Sequence, residues 1–221
     1  MIMSKPIRIV IADDHPIFRS GLSQLLASDD LIYIVGEAED GEKALSLIRQ
    51  TLPDVAILDI DMPEKDGFDV AQQLITEKAP VKIVFLTMHK NETLFNRALN
   101  LGVNGFVLKD SAMEDILNAV KAISRDEYFI SPALSTFLRK HAQSNARFER
   151  ENPSVKNLTK TERRILVLIG SYKTSKEIAD ELFVSRRTVD THRNNICLKL
   201  GLKGAHALLK FALDNHNDLR L

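Results

Sequence analysis

The chain has 221 residues, of which 44% are hydrophobic and 27% are charged, as in an ordinary globular protein of one or two domains. It contains no apolar run of about 20 residues that could cross a bilayer, no secretory signal at the N-terminus, and a single cysteine, Cys197, which excludes an intrachain disulfide and a cysteine-based zinc site. We therefore expect a cytoplasmic protein that has no membrane partner.

The net charge of zero conceals an asymmetry along the chain. Residues 1–126 carry 13 Lys and Arg against 20 Asp and Glu, whereas residues 158–221 carry 12 against 7. An acidic first part and a basic last part indicate two domains with different partners, and only the basic part is suited to a polyanion.

Residues 1–126 alternate apolar segments with amphipathic ones. Strands are predicted at 7–12, 33–38, 55–60, 81–87 and 105–109, and the segments between them repeat apolar residues at spacings of three and four, as helices do. Strands this uniformly apolar suit a parallel sheet covered on both faces. The pattern predicts an α/β domain with a flavodoxin-like, doubly wound, five-stranded parallel sheet.

The pattern fades between the two parts of the chain. From residue 138 the sequence is polar and contains the dipeptide Asn152-Pro153, so we interpret residues 127–157 as a linker that is helical near its start.

Helical spacing returns at residue 158 and predicts a small all-α domain of four helices over 158–221. Thr159 and Glu162 have the spacing of a capping box at the first helix. The second helix is predicted to open at Ser175, and the third to run from a cap at Ser185 to Gly201. The last helix, at 205–215, is apolar around most of its circumference, which suggests that it pairs with its copy in a homodimer.

Acidic residues stand where the first and third predicted strands end. Asp13 and Asp14 follow the first strand, and Asp59 and Asp61 end the third. One interpretation is simply that these strands end at the surface. If the two strands are neighbours, however, the four carboxylates converge at the edge where such sheets bind ligands, and they need a cation. A site of carboxylate oxygens suits Mg²⁺.

The next two strands end in groups that bind phosphate oxygens. The fourth strand ends at Thr87, a hydroxyl, and the fifth at Lys109, an ammonium. Together with a divalent cation they could position a phosphoryl group, and an aspartate such as Asp59 can accept one as an aspartyl-phosphate. His15 and His89 flank the site, and we interpret them as polar residues at its entrance rather than as metal ligands.

Four motifs of the first part resemble the receiver domain of bacterial response regulators. They are DD at 13–14, LDIDMPEKDG at 58–67, LTMH at 86–89 and GFVLKD at 105–110. The resemblance covers about residues 6–126. It implies a phosphoacceptor that a sensor histidine kinase phosphorylates, Mg²⁺ held partly by the main-chain carbonyl of Asp61, and a switch aromatic at a position where the family often has Tyr. By residue, the implied phosphoacceptor is Asp59, the metal residues are Asp13, Asp14, Asp59 and Asp61, and the phosphoryl-binding and switch residues are Thr87, Phe106 and Lys109.

The second and third helices of the last part are separated by a brief turn, as in a helix-turn-helix. A small bundle with a solvated basic face would give a similar composition. The segments LTKTERRILVLI and SKEIADELFVSRRTVDTHRNNICLKLGL are similar to the DNA-binding domain of the NarL/FixJ/LuxR type. That resemblance implies binding to double-stranded promoter DNA through bases and phosphates. The candidate contacts are Lys176, Arg186, Arg187, Thr188, Asp190, Thr191, Arg193, Asn194 and Lys199.

Asp190 departs from this family pattern, which frequently has Lys there. An acid would repel phosphate but could accept a hydrogen bond from a cytosine amine. The resulting hypothesis is a two-component regulator in which phosphorylation of Asp59 switches dimerisation and promoter binding. In this reading the receiver catalyses only its own phosphorylation and dephosphorylation.

Two other functions fit parts of the sequence. Asp59-Ile60-Asp61 has the form of the D-x-D motif of haloacid-dehalogenase phosphatases, although that motif usually lies on the first strand. The second alternative is a LuxR-type regulator whose N-terminal half binds a small signal molecule, although an acidic pocket does not suit an apolar signal.

Overall fold

The computed structural model describes residues 5–215 and residue 219, with only the backbone described for 144–149 and 151. The outer limits predicted for the two domains, at residues 1 and 221, lie outside the described residues. The chain divides into two compact units, Met1–Phe137 and Leu138–Leu221. Within the described residues, no helix is both long enough and apolar enough to span a membrane.

The first unit is built on a parallel sheet with strand order β2-β1-β3-β4-β5-β6. This order confirms the doubly wound sheet predicted from the sequence. The chain adds strands toward one edge of the sheet and then toward the other, and the switch point lies between β1 and β3. The strands are β1 (Ile7–Ala12), β2 (Ile32–Ala38), β3 (Val55–Asp59), β4 (Lys82–Thr87), β5 (Gly105–Leu108) and β6 (Phe129–Ile130).

Helices cover both faces of this sheet. They are α1 (Pro16–Ala27), α2 (Gly41–Thr51), α3 (Gly67–Thr76), α4 (Glu92–Leu101) and α5 (Ala112–Ser124). Side chains of α2, α3 and α4 share one buried cluster with one face of the sheet, and α1 and α5 share a second cluster with the other face. Burial on both faces explains why the strands are apolar at nearly every position.

The sixth strand was not predicted, and it lies within the segment interpreted as a linker. Phe129 and Ile130 pair with β5, a turn of 3₁₀ helix follows at Pro132–Leu134, and Leu134 is fully buried. The first unit therefore extends beyond the predicted limit at residue 126. The rest of the predicted linker is also largely helical, with α6 (Ser135–Glu151) and a 3₁₀ segment at Pro153–Asn157.

The second unit contains the four helices predicted after residue 158: α7 (Lys160–Gly170), α8 (Ser175–Leu182), α9 (Arg186–Leu200) and α10 (Ala205–Asp214). The capping box at the start of α7, the Ser185 cap of α9 and the left-handed Gly201 that ends α9 are all as predicted. On α10, Leu208 and Ala212 are buried in this unit's own core. Part of the apolar surface that suggested pairing with a copy is therefore used within the unit.

Candidate functional site

The two acidic strand ends lie side by side in the first unit. Strands β1 and β3 run parallel with Ala12 opposite Leu58, so Asp13 and Asp59 follow at neighbouring positions. Both side chains are almost completely buried. Gly67, at the start of α3, packs directly against the backbone of Asp59. A Cβ at this position would lie 2.3 Å from the carbonyl oxygen of Asp59. Glycine is thus required for the close approach of the helix to the acid.

Lys109 compensates these buried charges. Its Nζ lies 2.7 Å from Asp13 Oδ2 and 2.7 Å from Asp59 Oδ2, and its side chain is itself buried. The ammonium also stands 4.9 Å from the centre of the Phe18 ring. A buried carboxylate is unfavourable without a partner, so this ion pair is what permits β1 and β3 to end in acid.

Lys109 offsets only part of the cost of burying the Asp59 carboxylate. Burial raises its pKa to about 6, and the hydrogen bond from Lys109 only partly opposes that effect, while the charge of Asp13 adds to it. Burial alone would lower the pKa of Lys109, but its close contacts with the carboxylates of Asp13 and Asp59 outweigh burial and raise it. One ammonium therefore serves two carboxylates, and the pocket retains an excess of negative charge.

The pocket has donor atoms suited to a hard divalent cation. Atoms of Asp13, Asp14, His15 and Asp59 that could bind a metal all lie within 4.8 Å of one another. Asp13 Oδ2 and Asp14 Oδ1 are buried, and neither accepts a hydrogen bond of normal geometry from the described residues, although each has a basic nitrogen 2.7 Å away. Such buried oxygens fit Mg²⁺, which prefers carboxylate oxygen ligands.

The side chain of Asp61 does not belong to this group. It is exposed, and its Oδ2 lies 3.5 Å from His89 Nε2. Its main-chain N–H points toward Asp59 Oδ1 at 3.3 Å. Any contribution of Asp61 to a metal would therefore come from its backbone, as the family resemblance implies. His15, which the sequence placed beside the site, has an exposed side chain whose Nδ1 lies 2.7 Å from Asp14 Oδ1.

Thr87 and Phe106 also lie where the sequence predicts. Thr87 ends β4, next to β3, and its fully buried Oγ1 accepts a hydrogen bond from the His89 N–H at 3.0 Å. The hydroxyl proton can still be donated to a ligand. Phe106 is buried on β5, and its ring meets that of Phe95 edge-on, with 5.6 Å between centroids.

The second unit presents one polar helix above a small apolar core. Val189 and Ile196 of α9 are buried in this core. Asp190 and Arg193 are half-buried, and Arg186 pairs with Asp190 at 3.7 Å across one helical turn. The exposed members of the predicted contact set are Lys176, Arg186, Arg187, Thr188, Thr191 and Asn194. Except for Lys176, which lies on α8, they belong to the N-terminal two-thirds of α9, the part of such a helix that meets base edges.

Lys199 has a different environment from the other predicted DNA contacts. Its Nζ lies 2.7 Å from Oε2 of Glu162, which is 3% exposed. The same Oε2 accepts a hydrogen bond from the Thr159 N–H. Although burial of Glu162 would raise its pKa, the hydrogen bonds from Lys199 and Thr159 lower it overall. This pair joins α9 to the start of α7, a structural role that sequence spacing did not reveal.

Helix α8 begins at Ser175, as predicted. Its N-cap is Thr174, which forms a capping box with Glu177. The T-x-x-E spacing was present in the sequence as the signal for this cap.

Comparison with known proteins identifies both units. Residues 9–121 match the family described as response regulator receiver domain, and residues 156–212 match the bacterial regulatory proteins of the luxR family. The oxygen regulatory protein NreC of Staphylococcus carnosus is 36% identical over 93% of this chain and 96% of its own length. These matches decide against the phosphatase and signal-molecule alternatives.

Solved structures give the same result. RcsB of Salmonella enterica serovar Typhimurium, bound to promoter P1flhDC in the presence of the phosphomimetic BeF₃⁻, is 27% identical with a TM-score of 0.59, and the match covers 94% of this chain and 98% of that one. The receiver domain of the putative response regulator NarL from Mycobacterium tuberculosis is 38% identical with a TM-score of 0.54, covering 55% and 98%. This chain therefore belongs to the two-component response regulators that join a receiver domain to a luxR-type DNA-binding domain.

Proposed function

We propose that Asp59 accepts a phosphoryl group from a sensor histidine kinase, with Mg²⁺, and that this modification switches dimerisation and promoter binding. The observation that carries the proposal is the buried Asp59 carboxylate, which shares the Lys109 ammonium with Asp13 and has a raised pKa. A carboxylate held in excess negative charge is stabilised by a cation and by the positive groups that a phosphoryl transfer requires.

The two oxygens of Asp59 are held differently. Oδ2 is bound to Lys109 at 2.7 Å, whereas Oδ1 receives only the weak 3.3 Å contact from the Asp61 N–H. In the transfer, an Asp59 oxygen forms a bond to phosphorus while the bond from phosphorus to the donor nitrogen breaks, and the leaving imidazole takes up a proton. The receiver supplies the position and the electrostatic environment for this step, so it catalyses its own phosphorylation.

Asp13, Asp14 and Asp59 would hold Mg²⁺, together with the main-chain carbonyl of Asp61. The ion would neutralise charge on the phosphoryl oxygens as that group transfers. Asp13 and Asp14 contribute buried oxygens with free lone pairs to such a site. Without Mg²⁺, the carboxylates repel an incoming phosphate.

Two further side chains would contact the phosphoryl group. Lys109 can exchange its contact with Asp59 for a phosphoryl oxygen while keeping Asp13, and Thr87 can donate its hydroxyl proton. A Thr87 drawn toward the phosphoryl group leaves space on the Phe106 side of β4 and β5. Phosphorylation would then shift an existing equilibrium of the receiver.

We further propose that α9 enters the major groove of promoter DNA. Arg186, Arg187 and Lys176 are exposed and can reach phosphates, while Thr188, Asp190, Thr191, Arg193 and Asn194 lie on or beside the same surface. Lys199 is not among these contacts, because its ammonium pairs with Glu162. Solved RcsB structures include two dimers bound to two parallel DNAs, which supports DNA binding by a dimer in this family.

The proposal is tested by incubating the full chain with acetyl phosphate and Mg²⁺ and recording intact mass and oligomeric state. Wild type should gain one phosphoryl group and shift toward dimer, and Asp59→Asn should do neither. Asp30→Asn, at an exposed position, is the matched control and should behave as wild type. An adduct of equal yield on Asp59→Asn, or no adduct on wild type, would refute the assignment.

A further inference from the structure

A fully buried serine stands where the receiver sheet ends. Ser131 directly follows β6 and occupies the N-cap position of the 3₁₀ turn Pro132–Leu134, yet its side chain does not cap that turn. Its Oγ instead donates to Asp115 Oδ2 at 2.6 Å and accepts from the Leu108 N–H at 3.2 Å. The hydroxyl thus accepts the hydrogen bond that a main-chain carbonyl would accept if β5 and β6 were paired for one residue more.

A second serine binds the same carboxylate. Ser111 is the N-cap of α5, and it too makes no cap hydrogen bond through its side chain. Its Oγ donates to Asp115 Oδ2 at 2.7 Å. Serines at N-cap positions normally accept from the first turn of their helix, so two that converge on one acid indicate another role. We call Ser111, Asp115 and Ser131 the serine clasp.

The serine clasp encloses the turn that carries Lys109. Leu108, bound by Ser131, precedes Lys109, and Ser111 follows it two residues later. Inside the pocket the same turn is held by the Lys109 ion pairs to Asp13 and Asp59. The position of the ammonium is therefore fixed from both sides: by the carboxylates within the pocket and by the serine clasp behind it.

A chain of aromatic rings leads to the same segment. The Phe106 ring lies 5.6 Å from Phe95, and Phe95 lies 5.9 Å from Phe137, between ring centroids. Leu134 is fully buried in the cluster that contains Phe106. Ser131 thus contacts both the Lys109 turn, through Leu108, and the switch aromatic, through a hydrogen bond from its N–H to the Phe106 carbonyl, and α6 starts four residues later, at Ser135.

We propose that Ser131 and Asp115 connect the turn that carries Lys109 to the segment before α6, so that a movement of Lys109 on phosphorylation reaches the start of α6. This inference rests on the proposed phosphorylation of Asp59. When Lys109 turns from Asp59 to a phosphoryl oxygen, the segment 108–111 moves with it. The serine clasp passes that movement to Ser131, and the turn at Pro132–Leu134 passes it to α6.

The test uses the full chain with BeF₃⁻ and Mg²⁺, which imitate the phosphorylated state. Occupancy of the pocket is measured by fluorine NMR, and hydrogen exchange is measured for residues 129–143 with and without BeF₃⁻. The variants are Ser131→Ala, Asp115→Ala and Asp115→Asn. Ser124→Ala is the matched control, because the Ser124 hydroxyl donates to the Lys121 carbonyl at the other end of α5.

Wild type and Ser124→Ala should change their exchange in this segment by about fivefold or more on binding BeF₃⁻, the lower end of ordinary coupling between sites. Ser131→Ala and Asp115→Ala should bind BeF₃⁻ but lose most of that change. Asp115→Asn keeps an acceptor oxygen for both serines and should keep the change.

Three results would overturn the role of the serine clasp alone. In the first, wild type binds BeF₃⁻ but hydrogen exchange at residues 129–143 does not change. In the second, Ser131→Ala and Asp115→Ala show the same change in exchange as wild type. In the third, these two variants bind less BeF₃⁻, and the loss of binding is proportional to the loss of the exchange response. Loss of the change in Asp115→Asn would count against the hydrogen bonds on which the inference rests. A wild type that binds no BeF₃⁻ would instead overturn the proposed function, and this inference with it.

Discussion

The ionised Asp59 carboxylate should destabilise the folded receiver at neutral pH. Its pKa is raised from 3.8 to about 6, which corresponds to a difference of about 3 kcal/mol between the folded and unfolded states once the group is ionised in both. Asparagine imitates the protonated acid, and Lys109 retains its 2.7 Å contact with Asp13. Because the amide does not replace every contact of the acid, we expect Asp59→Asn to raise the free energy of unfolding by about 1–2 kcal/mol.

The sign of the pH dependence follows from the raised pKa. The penalty is nearly full above about pH 6, where both states are ionised, and it disappears below about pH 3.8, where both states bind the proton. Between about pH 7.5 and about pH 4.5 the penalty falls from about 3 to about 1 kcal/mol, so the gain from Asp59→Asn should fall by about 2 kcal/mol and vanish at the lower pH.

Hydrogen exchange of the β3 and β4 amides in urea, with a chelator present, measures unfolding of the first unit within the full chain. Asp30→Asn, on the surface, is the control and should change stability by less than about 0.5 kcal/mol at either pH. A loss of stability in Asp59→Asn at neutral pH, or an equal gain at both pH values, would refute this account of the pocket.

Three other substitutions test the geometry. Lys109→Met leaves two buried carboxylates without a counter-ion and should lower the free energy of unfolding by about 3–5 kcal/mol, a loss that excess Mg²⁺ should reduce in thermal melts. Gly67→Ala places a methyl group 2.3 Å from the Asp59 carbonyl oxygen and should cost about 1–3 kcal/mol and reduce adduct yield in mass spectra. Lys199→Met should destabilise the second unit by about 1 kcal/mol in urea. Because the pKa of Glu162 is lowered, that effect should be present above about pH 4.5 and fade below it.

The pocket could be predicted because its residues stand at strand ends. In a parallel sheet, the ends of neighbouring strands meet at one edge, so Asp13, Asp59, Thr87 and Lys109 converge once the strand order is known. Apolar runs and helical spacing predicted the succession of strands and helices, whereas the adjacency of the first and third strands was a condition that the resemblance to receiver domains supported. What the sequence did not indicate was the double pairing of Lys109, since distances between side chains are set by packing rather than by period.

The residues that escaped prediction depend on contacts distant in sequence. Strand β6 has only two residues, and it is a strand because Phe129 and Ile130 meet β5 more than 20 positions earlier. Its short polar surroundings carry no alternation, so the segment resembled a linker. Lys199 was predicted to contact DNA because its true partner, Glu162, lies 37 positions earlier in the chain and could not be inferred from local spacing.

The central claim is that phosphorylation of Asp59 controls DNA binding by the second unit. The most direct test measures affinity for a genomic fragment selected by the BeF₃⁻-treated protein, with and without acetyl phosphate and Mg²⁺, at one fixed salt concentration. The account predicts that the donor tightens binding by about fivefold or more in wild type and has no effect in Asp59→Asn. Equal affinities with and without an Asp59 adduct, or the same gain in Asp59→Asn, would contradict it.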